Sequence, residues 1–336
     1  MLKTHDKLDR AFPNQIVLID DAFTVTDADL YGTFEPINLH GPLFTSYLLD
    51  FAAFYRDTPR YTKDRLGWLA RSTNIRHESE VAGPVLLRPK QQFPGPFERP
   101  SRNMMLLHAL SPRGEAILKK SGRYHPIKHG GWFEHQTANG CITASLHLAA
   151  LHAEQTFIPP DRLAEDIGVT VPYTIKDKKS GTSKDFDNHR LVPDYLFGVD
   201  RYYAVETDLG NEVGRADMDQ THRRKTYERM VLQYLELIGR SQDDAGTKLY
   251  NTAYRIPRNK ALLVLFVTTE RSKLDLMESI IKQHAPGGAC NFILMKHVPA
   301  EAFSAYHSPK PLYTLWTEPW KRAGRRDFYI NNPARQ

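Results

Sequence analysis

Cysteine is scarce: Cys141 and Cys290 are the only two in 336 residues, and neither belongs to a CxxC pair. That argues against a disulfide framework and against a structural zinc site, and makes a reducing, cytoplasmic compartment the natural expectation. Long apolar runs are missing too. None approaches the ~20 residues that a bilayer-spanning helix needs. The opening MLKTHDKLDRAFPNQ has no apolar segment of the kind that directs secretion. No membrane is therefore expected among the partners. What remains is the make-up of an ordinary soluble protein, 41% hydrophobic with a mean hydropathy of −0.50, and long enough for two domains with separate cores.

The net charge is +6, with an uneven distribution. From Arg56 to Arg123 there are fourteen Lys or Arg against six Asp or Glu, a local excess of eight that outweighs the balance of the whole chain. A second basic run, KRAGRR, occupies 321–326. Clustered cations suit a polyanionic partner, nucleic acid first among them, or else a generic solubilising surface.

Residues 1–40 show no clear period and are read as an arm. Phe44, Tyr47, Leu48, Phe51, Phe54 and Tyr55 recur at helical spacing. Thr58-Pro59 breaks that helix, and a second follows in TKDRLGWLAR with Thr62 as its N-cap. Strand-like runs at 84–89 and 103–110 flank a Pro- and Arg-rich loop, and a short helix follows from Glu115 to Lys120. Helix, helix, strand, long basic loop, strand, helix is the order of a winged-helix module, or of a small α+β domain that meets other proteins. On the first reading the helix carries Lys63, Arg65 and Arg71 to DNA, and the wing carries Arg88, Lys90, Arg99 and Arg102.

After a polar linker at 121–131, a long helix is expected from Trp132 to Gln155. His147 and His152 on it are five apart, a poor spacing for one metal, and are read as packing or surface histidines. The stretch 176–190 is charged and rich in breakers, hence a loop. A helix Ala216–Ile238, a very apolar strand at 261–269, a helix Ser272–His284 and a strand at 291–298 complete an α/β order in which the apolar strand is central.

The most informative stretch is LVPDYLFGVDRYYAVETDL, 191–209. Two apolar runs flank a turn at Gly198–Arg201, which makes a hairpin. Side chains alternate along a strand, so Glu206 and Asp208 share a face, and a carboxylate on the first strand can reach it. Such an acidic face is either a solvated surface or a site where carboxylates converge on a hard divalent cation, as in a metal-dependent phosphodiester nuclease.

Four pieces, LLHALSPRGEAIL (106–118), GWFEH (131–135), LVPDYLF and AVETDLG, resemble the replication-relaxation family of plasmid-type proteins. The resemblance spans roughly residues 43–298. It implies an α/β protein: an N-terminal winged-helix domain (41–125) after an arm (1–40), then a restriction-endonuclease-like α/β sandwich of the PD-(D/E)XK type with a mixed sheet (130–310), and a basic tail (311–336). It makes Asp194 the Asp of the Pro-Asp motif and Glu206 the acidic residue of the (D/E)XK strand. The lysine expected two residues after Glu206 is Asp208 here.

Two readings follow. Lys225, or Arg224, on the next helix takes over from the missing lysine, while Asp194, Glu206 and Asp208 hold Mg²⁺ or Mn²⁺, Gln220 positions the water and Glu154 is an outer ligand. Alternatively, Glu206 and Asp208 pair with Arg223, Arg224 or Lys225, and the nuclease fold survives as a scaffold that grips DNA without cutting it. The expected partner in either case is double-stranded DNA in the replication or relaxation of a plasmid, phage or other mobile element. Other replication or relaxosome proteins fit beside it, and a homodimer suits a two-fold duplex.

Overall fold

Which residues join which core was settled by a computed structural model. It describes residues 17–20, 23–54, 59–70, 84–89, 105–127, 129, 132–176, 182–187, 189–210, 226–239 and 246–331. The protein is mixed α/β and divides into two compact units, Met1–Phe157 with Ala300–Tyr313, and Ile158–Pro299 with Thr314–Gln336. The expected boundary lay in the polar linker at 121–131, between domains at 41–125 and 130–310. The division falls instead after the long helix, because Cys141, Ala144, Leu148 and Leu151 of that helix lie in the core of the first unit.

In that unit, β1 (Val17–Asp20) and β2 (Phe23–Val25) pair antiparallel. A helical stretch, α1 (27–40), follows where an irregular arm was expected. Its Leu30, Phe34 and Ile37 are core residues. Residues 32–40 are all buried, so no polar face betrays the helical period. Next come β3 (Leu43–Phe44), α2 (Thr45–Ala53) and α3 (Pro59–Leu69). α3 starts three residues before the expected Thr62 cap, since proline lacks only an N–H that the first turn cannot use anyway.

β4 (Leu86–Leu87) and β5 (Leu107–Leu110) are shorter than the runs that announced them. The sheet order is β3–β5–β4, antiparallel throughout. Ser111 then caps α4 (Pro112–Lys120), accepting the Gly114 N–H at 3.1 Å, with Pro112 at its first position. The long helix α5 (Phe133–His152) closes the unit. The stretch 300–313 returns to it: Leu312 N–H donates to Ser145 Oγ at 2.8 Å and Tyr47 Oη to the Lys310 carbonyl at 3.0 Å.

The second unit opens with α6 (Pro160–Leu163) and four short strands, β6 (Val169–Thr170), β7 (Tyr173–Lys176), β8 (Ser183–Phe186) and β9 (Arg190–Leu191). β8 lies inside the expected loop and pairs antiparallel with β7, just before it. Tyr173, Ile175 and Phe186 bury together, a small apolar face hidden among charged neighbours. The main sheet holds β10 (Tyr195–Gly198), β11 (Tyr202–Asp208), β12 (Leu262–Thr268) and β13 (Ile293–His297) in that spatial order. β10 runs antiparallel to β11, while β11, β12 and β13 are parallel, so the sheet is mixed as expected. β12 is buried at every position, the central strand foreseen from its apolar run.

Among the described residues, the helices α7 (Tyr227–Tyr234), α8 (Leu249–Ala253) and α9 (Arg271–His284) accompany the sheet. One face of the sheet, with Ala204, Val264, Phe266 and Met295, shares a core with Tyr227, Met230 and Tyr234 of α7 and with Met277 and Ile281 of α9. The C-terminal segment bridges to the β13 edge at Met295–Lys321 and buries Trp320 completely. No helix among the described residues is long and apolar enough to cross a membrane.

Candidate functional site: carboxylates and tyrosines on the mixed sheet

Alternation along β11 puts Ala204, Glu206 and Asp208 on the face covered by α7. Glu206 and Asp208 are only 2% and 3% exposed, a severe environment for carboxylates unless donors replace the lost water. The donors are phenols. Tyr227, Met230, Val231 and Tyr234 form the buried seam of α7. Tyr234 Oη donates to Glu206 Oε1 at 2.7 Å, and Tyr227 Oη donates to Asp208 Oδ2. Seven helical residues span about 10 Å and two strand residues about 7 Å, so each phenol meets its own carboxylate. Thr226 fixes the start of α7 by accepting the Arg229 N–H at 3.2 Å.

Asp208 is engaged at both oxygens. Oδ2 also accepts from Thr268 Oγ1 on β12 at 3.0 Å, and Oδ1 accepts the Gly210 N–H at 3.0 Å. Asp194 lies just before β10, one residue beyond the Tyr195–Val205 pair, which puts it opposite Glu206. Its own N–H donates to the Val205 carbonyl at 3.0 Å, and its Oδ2 accepts the Thr207 N–H at 2.7 Å. Asp194 is half-buried, the most accessible of the three carboxylates. Burial pushes the Tyr234 phenol well up, and the nearby Glu206 charge pushes it further. Tyr254 is raised for the same two reasons in the same order. Both phenols therefore stay protonated, as donors, at neutral pH.

Asp194, Glu206 and Asp208 are thus neighbours, as the hairpin reading required, but their geometry is not that of a converged triad. Among the described residues no three His, Cys, Asp or Glu side chains are grouped so as to hold a metal ion. Asp208 accepts hydrogen bonds at both oxygens, Glu206 at Oε1 and Asp194 at Oδ2. Gln220, Arg223, Arg224 and Lys225 lie outside the described residues. Glu154 belongs to the first unit, where, at φ 57°, it ends α5 in the left-handed region.

The partners that the sequence reading missed are Tyr227, Tyr234 and Thr268. Tyr227 and Tyr234 fall within the helix expected at Ala216–Ile238, among its apolar residues. Their signal was the hydroxyl itself, because a buried tyrosine needs an acceptor.

Among the cations, Lys63 on α3 and Arg88 just beyond β4 are exposed. Arg65 is engaged inside the first unit. Its Nε and Nη2 clamp both oxygens of the buried Asp29 at 3.1 and 2.8 Å, which ties α3 to α1. Arg71, Lys90, Arg99 and Arg102 lie outside the described residues.

Of the two α5 histidines read as packing or surface groups, His147 is buried and His152 exposed. His147 Nδ1 meets His40 Nε2 at 2.9 Å and its ring stacks 4.0 Å from Phe157. His152 packs on Phe54 and Tyr313. Compared with protein-family models, with curated proteins and with solved structures, the chain matches none.

Proposed function

We propose that this chain is a double-stranded DNA-binding protein whose first unit works as a winged helix, serving replication or relaxation of a plasmid, phage or other mobile element. The observation that carries the reading is topological. A short strand between α1 and α2 joins the hairpin β4–β5 to make the sheet β3–β5–β4, and α3 directly precedes that hairpin. This supports α3 as the groove helix and the β4–β5 connection as the wing. Among the described residues, Lys63 and Arg88 are the exposed cations on these two elements. Phosphate contacts of this kind give affinity that falls steeply with salt. Lys63→Ala and Arg88→Ala should each reduce the salt slope by about one. Equal slopes for wild type and both variants would overturn the assignment.

In the second unit, the antiparallel–parallel sheet with Asp194 opposite Glu206 supports a restriction-endonuclease-like fold. The carboxylates of β11 are held by tyrosines and a threonine, so the reading favoured is a nuclease-type scaffold that grips DNA without cutting it. One observation favours a second reading, hydrolysis with Mg²⁺ or Mn²⁺: Asp194, opposite Glu206, is half-buried where the two β11 carboxylates are buried. Its missing ligand, and the charge to balance the phosphate, would have to come from the segment that includes Gln220 and Lys225. Calorimetric titration of either cation into wild type and Glu206→Ala, with DNA cleavage on the same samples, separates the two. Metal binding lost in the variant together with wild-type cleavage would replace the scaffold reading. A homodimer on a two-fold site and contacts with other replication or relaxosome proteins are further parts of this proposal.

A further inference from the structure

The basic run at 321–326 does not act as one piece. Lys321 turns to α9, where it meets Glu278 and, at 3.3 Å, Asp275. Arg322 turns the other way, over the ring of Phe328, with its guanidinium carbon 5.4 Å from the centroid. Arg201, from the turn before β11, lies 5.1 Å from the centroid of the same buried ring. The Lys260 ammonium, just before β12, donates to the Asp200 carbonyl at 3.3 Å. Arg322 Nε donates to the Arg326 carbonyl at 2.6 Å. The loop before β12, the turn before β11 and the C-terminal turn thus meet where these parallel strands begin.

Arg201, Arg258, Lys260, Arg322, Arg325 and Arg326 supply six cations there against two carboxylates, Asp200 and Asp327. Arg258, Lys260, Arg325 and Arg326 are exposed. Neither Arg325 nor Arg326 has an ion-pair partner among the described residues. Arg322 feels the crowding: burial and the Arg325 charge both lower its pKa. This edge is ~20 Å from Asp208, the length of β11, and so is separate from the acidic face.

We propose that this edge binds the phosphate backbone of a nucleic acid, as a contact face of the second unit distinct from α3 and the wing. Five of the six cations are arginines, whose planar forks match phosphate oxygens in pairs. Phe328, over whose ring two guanidinium groups lie, helps to hold two of those forks in place. Membrane insertion does not fit, because among the described residues of this unit the exposed large hydrophobic residue, Val192, precedes β10 and so lies toward the other end of β11.

The inference takes its partner from the DNA-binding reading but not its residues. The test uses the full chain and a labelled mixed-sequence duplex, titrated between about 50 and 200 mM salt. The combined variant Arg258→Ala, Arg325→Ala, Arg326→Ala should lower the salt slope by about two to three. The matching triple Lys variant should keep most of it. A triple Ala variant with the wild-type slope overturns the inference, and if Lys63→Ala and Arg88→Ala still reduce the slope, DNA binding by the first unit stands without it. Wild type that binds no duplex overturns both. Binding that depends on these arginines only with anionic phosphatidylserine vesicles, and not with duplex, identifies a lipid surface and overturns the nucleic-acid assignment.

Discussion

Tyr234 donates its proton to a carboxylate that has almost no access to water, and losing that donor is more costly than losing an exposed hydrogen bond. Tyr234→Phe keeps the ring and its packing but leaves Glu206 with one donor fewer. A destabilisation of about 1–3 kcal/mol is expected, read from urea unfolding of wild type and variant. Equal midpoints would mean that other donors suffice for Glu206.

His108 provides a second test. It is 1% exposed in β5, with Nε2 3.0 Å from Thr45 Oγ1. Burial, and then the Arg88 charge, lower its pKa to about 4. A free histidine titrates near 6.5, so neutral His108 contributes its full stability above that pH and loses it as the pH falls toward 4. His108→Gln should flatten the fall in unfolding free energy across this window by up to about 3 kcal/mol. An unchanged pH profile would assign the fall to other groups, such as His40, which burial shifts in the same direction.

Legibility at this scale followed chemistry. Two acidic residues two apart could be placed on one face, but the phenols that receive them were hidden inside an apolar seam. Arg65 looked like its basic neighbours because the acid it clamps, Asp29, lies 36 residues away in the chain.

Elements were legible where burial is one-sided or long. β12 and α9 stand close to their expected limits because a nine-residue apolar run and a two-faced helix are hard to read otherwise. α1 and the β7–β8 hairpin were missed for opposite reasons: the first is buried on nearly all sides, and the second buries only three aromatic or aliphatic side chains. α5 was visible through its length, and its tight seat against α1 depends on Gly140. A Cβ there would stand 2.7 Å from the His40 carbonyl oxygen and 3.2 Å from that of Pro42. Both obstacles are backbone and cannot swing aside. In an exposed helix Gly→Ala would stabilise by roughly 0.5–1 kcal/mol. At Gly140 the substitution should instead destabilise by about 1–3 kcal/mol, seen as a lower thermal midpoint with unchanged helical circular dichroism at low temperature. A stabilised variant would mean that α5 can shift away from α1 at little cost.

For the whole molecule, the order of domains along the chain suggested two successive folding units, and here the sequence was least informative. The first unit is finished by residues that come after the second unit's sheet. Ala300–Tyr313 supplies Phe303, Ala305 and Tyr313 to the first core. It also caps Ser145 through the Leu312 N–H, accepts from Tyr47 at the Lys310 carbonyl, and places Tyr313 Oη 3.1 Å from Asp50 Oδ2. No local pattern encodes such a return, since 300–313 is short, irregular and rich in proline and aromatics. Its consequence is testable with a fragment ending at residue 157. If the first unit folded as a sequential domain, this fragment would melt as it does in the full chain. The returning segment predicts otherwise: without it the buried Tyr47 hydroxyl and Ser145 each lose a partner, at roughly 1–3 kcal/mol for each group left unsatisfied. The fragment should therefore melt well below the first transition of the full chain. A synthetic peptide of residues 300–313 added in excess should restore part of the difference by mass action. A fragment that melts at the full-chain temperature without the peptide would show that the segment adds no stability to the first core.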